Sequence, residues 1–103
     1  MIKVSVMYPA TEGAGFDMDY YVNKHMPLVK DRCGDAVKGM QVDAGVCGPA
    51  PGTPATYVCV GHLLFDSPEA FQNAFAPHAG EIMGDIPNYT SIAPVIQISE
   101  VKL

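Results

Sequence analysis

Asp19-Tyr20-Tyr21-Val22-Asn23-Lys24-His25-Met26-Pro27 and, fifty residues later, Glu69-Ala70-Phe71-Gln72-Asn73-Ala74-Phe75-Ala76-Pro77 follow one plan. Each opens on an acid, carries an aromatic at its third position and an asparagine at its fifth, and ends on a proline. An acid suits the positive end of a helix dipole, so Asp17 or Asp19 begins one helix. Ser67-Pro68-Glu69 begins the other, with serine as the cap and proline in the first turn. Met18, Tyr21, His25 and Leu28 recur at helical steps and share one face, as do Phe71, Phe75 and His78. Pro27 and Pro77 lack the N–H that a continuing helix needs, so both helices are expected to break there, the first near His25 and Met26. Gly34 closes the first helix.

Around these helices the period drops to two. Ile2, Val4, Val6 and Tyr8 alternate with Lys3, Ser5 and Met7 in a first strand, and a breaker-rich loop from Pro9 to Gly15 follows. Lys38 to Cys47 reads as a second strand, and Gly48-Pro49-Ala50-Pro51-Gly52-Thr53-Pro54 as a turn. Ala55 to Phe65, rich in β-branched and aromatic residues, is the third strand, and Ile92 to Val101 the last. The order βαββαβ is a split βαβ unit used twice. It predicts a single α+β domain over residues 1–103, ferredoxin-like, with two helices on one face of a four-stranded antiparallel sheet. The other face stays bare. Strand three offers apolar side chains both ways, Val58, Val60 and Leu64 against Cys59, Leu63 and Phe65. The bare face is therefore expected to be uncharged and to pack against a second copy.

Composition points the same way. The chain has 103 residues, 49% hydrophobic and 17% charged, with a mean hydropathy of +0.14. That is too apolar for disorder, and too apolar for a small monomer with much surface to cover, so a homodimer is expected. The net charge of −5 includes a single arginine, Arg32, and no basic cluster, which argues against nucleic acid and anionic membranes as partners. No apolar run is long enough to span a bilayer, and the start of the chain reads as a strand rather than a signal peptide. Cys33, Cys47 and Cys59 are odd in number and unpatterned, so reduced thiols in the cytoplasm are the expectation.

His25 stands one turn after Tyr21, just before the helix-breaking proline. It reads either as a general acid or base oriented by Tyr21, or as an inert cap on carbonyls freed at the break. His78, directly after Pro77, holds a comparable place; if both breaks lie at one end, the two histidines approach one pocket. His62, with Val60 and Leu64 at alternate positions, reads as a satisfied core histidine. The three histidines are 37 and 16 positions apart, without metal-ligand spacing, so no metal is expected. From Glu81 to Thr90, Asp85, Asn88 and Tyr89 are interleaved with the anchors Ile82, Met83 and Ile86, a pattern that suits either a pocket rim or a well-capped helix end. Tyr8, Tyr20 and Tyr57 read first as core or interface aromatics, and Cys59 as a buried, inert thiol. Gly13-Ala14-Gly15 is no phosphate loop, and no serine stands in G-x-S-x-G. The remaining repertoire of His, Tyr and Asp points to proton transfer on a small organic molecule, with no cofactor.

The run Met1 to Pro9, then Phe16-Asp17-Met18-Asp19-Tyr20-Tyr21 and Lys24-His25-Met26-Pro27-Leu28-Val29, resembles the EthD family. So do Gly61-His62-Leu63-Leu64-Phe65, Phe75-Ala76-Pro77-His78-Ala79 and Asp85-Ile86-Pro87-Asn88-Tyr89, so that the likeness covers essentially the whole chain. Its most specific part is the Y-x-x-x-H-x-P helix. The resemblance implies a dimeric α+β barrel. The family takes its name from a gene cluster for ethyl tert-butyl ether degradation, beside a monooxygenase system. Its members are often labelled reductases, although no flavin or nicotinamide motif is present here. Relatives of this fold include muconolactone isomerases and polyketide cyclases, which use His and Tyr between sheet and helices. Haem-degrading relatives use a tryptophan, which this chain lacks. By that likeness His25, His78, Tyr21 and Asp85 are the candidate catalytic groups, and Tyr8, His62, Tyr89 and Phe75 the candidate substrate contacts. The function implied is a cofactor-independent isomerase, lyase or cyclase of catabolism, acting on a small apolar carbonyl compound or lactone. The alternative is a non-catalytic metabolite-binding accessory to an oxygenase.

Overall fold

A computed structural model describes residues 1–103. Strand β1 (Ile2–Pro9) leads to helix α1 (Met18–Tyr20), a π-helical turn (Tyr21–His25) and helix α2 (Met26–Cys33), then to β2 (Gly39–Ala44) and β3 (Tyr57–Phe65). Helix α3 (Pro68–Phe75), a 3-10 turn (Ala76–His78) and helix α4 (Ala79–Gly84) precede β4 (Val95–Glu100). All four strands pair antiparallel in the order β2-β3-β1-β4, the ferredoxin-like arrangement that the element order predicts. The strands are shorter than the apolar runs suggest. Pro54 and Pro94 cannot donate to a ladder, so β3 and β4 begin only beyond them, and Ile92 packs in the core instead.

The two helix starts follow their capping residues. Asp17 accepts from the Tyr20 N–H, and Ser67 from the Ala70 N–H. The two prolines, however, are accommodated in opposite ways. Ahead of Pro27 the helix widens, and the Met26 N–H reaches back five residues to the Tyr21 carbonyl. Around Pro77 it tightens into a 3-10 turn, with the Ala79 N–H on the Ala76 carbonyl. The widened turn holds one extra residue, so the face beyond it advances by one. Val29, 3% exposed, occupies the inward position expected for Leu28, which is only half-buried.

Ile2, Val4, Tyr8, Cys59, Leu63 and Phe65 fill the core beneath the helices. Register places Lys3, Ser5 and Met7 with Leu64, His62 and Val60 on the opposite face. That face is not the uncharged surface expected from strand three alone. The neighbouring strands contribute Ser5, Gln41 and Asp43 to it, and His62 is held by Asp43 (Nε2 to Oδ2, 3.0 Å) and Ser5 (Nδ1 to Oγ, 3.3 Å). Helix-side cover also stops short of the edge. Ile96 and Ile98 on β4 point to the helix side, paired with Val6 and Val4, yet remain 48% and 43% exposed. No helix is long and apolar enough to cross a membrane.

Candidate functional site

Between helices and sheet lies a cavity of about 180 Å³. Its walls are almost wholly apolar, with Val4, Leu63, Phe71 and Ile82 among them, and the polar exceptions are Tyr8, Tyr21 and His25. The widened turn brings the last two together. Tyr21 and His25 are both buried and stack nearly parallel, ring centres 5.4 Å apart at 15°. Gly61 lies beneath them on β3, where a Cβ would stand 2.1 Å from the Tyr21 hydroxyl. Only glycine leaves that space.

Asp85 comes from just beyond α4, sixty residues along the chain, and accepts from His25 Nδ1 at 2.9 Å. Its other oxygen accepts from the Tyr20 hydroxyl at 2.7 Å and from Asn88 Nδ2 at 2.9 Å. Burial by itself would raise the Asp85 pKa, but the hydrogen bonds from Tyr20, Asn88 and His25 outweigh it and hold the carboxyl below its usual range. In the neutral form of the ring, an ionised Asp85 holds the proton on Nδ1 and leaves Nε2 as an acceptor. The Tyr89 hydroxyl, 3.4 Å from Nε2, is therefore the donor of that long contact, and the Tyr8 hydroxyl in turn lies 2.6 Å from that of Tyr89. Burial pushes the pKa of Tyr8, Tyr21 and Tyr89 up, so these phenols stay neutral and act as hydrogen-bond donors. The segment carrying Asp85 and Tyr89 is tied down by the Asp17 N–H on the Tyr89 carbonyl (2.8 Å) and by Thr90 Oγ1 on the Gly15 carbonyl (2.7 Å).

Of the candidates named from the sequence, His25, Tyr21, Tyr8 and Phe75 line the cavity, with Asp85 directly behind His25. Tyr89 is 4% exposed but stands behind Tyr8 and His25 rather than in the wall, so it touches the cavity's polar groups and not its interior. His62 lies on the opposite face of the sheet, because residues at even positions of β3 alternate away from Gly61 and Leu63. His78 does not line the cavity either. The tight turn at Pro77 leaves it half-exposed beside Glu81. Under the fifty-residue shift the counterpart of His25 is Phe75, and it is Phe75 that shares the cavity with it. Tyr20, which reads as a core or interface aromatic, and Asn88, which reads as part of a pocket rim or capped helix end, both prove to be hydrogen-bond partners of Asp85. The spacing Asp85-x-x-Asn88 was the available signal for one of them; nothing local marks Tyr20. No three His, Cys, Asp or Glu side chains converge as a metal site would require. Cys59, behind Tyr8, has its thiol pushed up to about 11 by burial.

A family model described as the EthD domain matches residues 15–93, well over half of the chain. The chain belongs to the EthD family. An EthD-like protein of Ralstonia eutropha JMP134 is 52% identical over 99% of this chain and 92% of that one, with a TM-score of 0.95. A second EthD family protein, from Bacillus halodurans C-125, has 19% identity over 99% of both chains at a TM-score of 0.68, and shares the fold. HapK from Hahella chejuensis, 13% identical over 99% of this chain and 93% of that one, has the same fold at a TM-score of 0.60. No curated protein matches this EthD chain.

Proposed function

We propose that this EthD protein is a cofactor-independent acid–base catalyst of small-molecule catabolism, an isomerase, lyase or cyclase working on a small, apolar carbonyl compound or lactone. His25 moves the proton; Asp85 orients it; Tyr21 donates a hydrogen bond to the oxygen on which charge develops, and Tyr8, through Tyr89, completes the hydrogen-bonded chain behind His25. One observation carries this reading: a histidine in the wall of an apolar cavity has its far nitrogen tied to an ionised carboxylate at 2.9 Å. That arrangement sets the tautomer and supports a positive charge on the ring as it forms, and the dry wall strengthens each donor. We also propose that the protein works as a cytoplasmic homodimer, its open sheet face covering that of a second copy. Half-buried Met7, Val60 and Leu64 on that face, and Val95 at 50% exposure, support this.

The accessory reading rests on the same apolar cavity and is separated by turnover. In D₂O, a panel of small ketones and lactones should exchange protons next to the carbonyl faster with the protein than in buffer, followed by NMR. His25→Ala should lower that rate by about 10² or more. Equal exchange with His25→Ala, or none above buffer with any member of the panel, overturns the acid–base reading. Saturable binding without exchange favours the accessory.

A further inference from the structure

We infer that the cavity is one-ended: it takes an elongated, uncharged molecule polar group first and lets the apolar remainder run out between Met83 and Ile96. The inference rests on the acid–base reading only for the purpose of the polar end, since the shape and polarity of the cavity stand by themselves.

The direction follows from exposure. Tyr8 and Tyr21 are each 1% exposed and His25 5%, whereas two other wall residues, Met83 and Ile96, are 41% and 48% exposed. Those two mark the mouth. They belong to α4 and to the edge strand that the helices leave uncovered. Register gives the depth. Gly61, under the Tyr21 hydroxyl, pairs with Val6, and Val6 pairs on its other side with Ile96. Polar end and mouth are thus two strand spacings apart, about 10 Å. The volume alone is close to that of a roughly 150 Å³ apolar cavity that accepts benzene. A longer molecule must therefore emerge, and it emerges over Met83 and Ile96, which are apolar themselves.

The polarity fixes the class. Hydrogen-bond donors occur only at the closed end, and neither Lys nor Arg lines the wall, so an ionised carboxylate entering there would lose its hydration without a matching cation. A ketone, lactone or similar neutral acceptor with an apolar tail meets both ends. Each added methylene inside the cavity should tighten binding about fourfold, the gain stopping once the tail passes the mouth.

Calorimetric titration of straight-chain methyl ketones, from butan-2-one upwards, tests this on the intact protein. Affinity should climb and then level off. Nonanoate, which has the length and a charge, should bind at least about tenfold more weakly than nonan-2-one. Ile96→Asp, and independently Met83→Asp across the mouth, should flatten the gain for long ketones, weakening nonan-2-one at least about tenfold more than butan-2-one. Binding of nonanoate as tight as nonan-2-one, no dependence on length, or equal weakening of short and long ketones by both variants overturns the inference. The length series reads binding, and deuterium exchange reads chemistry. A normal series without exchange removes only the acid–base reading, and exchange without length dependence removes only this one.

Discussion

Asp85 accepts hydrogen bonds from three side chains, and its substitution separates positioning from packing. Asp85→Asn keeps the size and removes the charge that fixes the His25 tautomer. Its exchange rate is expected to fall by about 10²-fold or more while ketone affinity changes little. Stability should respond with a definite sign. The Asp85 carboxyl titrates below its usual range when folded, so its contribution is present above the unfolded pKa of about 3.9 and disappears as pH falls through the lower folded value. Denaturation from pH 7 down to pH 2 should show the wild type ahead of Asp85→Asn at neutral pH and the gap closing in acid. A gap that does not change with pH would assign Asp85 a packing role alone. His25 was readable from the chain because Tyr21 and Pro27 stand beside it. Its bond to Asp85 was not, because a separation of sixty residues leaves no periodic trace and only the fold closes it.

At the level of elements, the two proline-broken helices show what a repeat can and cannot tell. The shared acid, aromatic, asparagine and proline gave both helices, their starts and the split βαβ order. The pattern could not say that one break would widen and the other tighten, since a missing N–H permits either. That difference moved the inward position from Leu28 to Val29 and left His78 outside the cavity. Strand β3 carries a comparable hidden requirement at Gly61. Gly61→Ala would bring a methyl group against the hydroxyl of a buried, stacked ring. The expected cost is about 1–3 kcal/mol, seen as a lower urea midpoint with an unchanged slope. A midpoint equal to the wild type would mean that the Tyr21 ring yields freely.

For the whole molecule, the apolar composition that suggested a partner has two visible outlets, the open sheet face and the uncovered edge strand. Sedimentation equilibrium at micromolar concentration should give twice the chain mass of 11.0 kDa, and Val60→Lys on the open face should halve it. A single-chain mass for the wild type would remove the dimer. Strand three alone suggests an uncharged face, and Lys3 and Asp43 from its neighbours make it a charged one, because a face is assembled from all its strands. The uncovered edge has a consequence for motion. β4 has one neighbouring strand, β1, and its helix-side residues Ile96 and Ile98 stay 48% and 43% exposed, so it is expected to open at lower free-energy cost than the strands inside the sheet. Since Ile96 is also a wall of the cavity, a guest seated against it should hold this edge closed. Amide hydrogen exchange along β4 should be faster than along β1 or β3 in the empty protein, and should slow selectively when a long neutral ketone is bound.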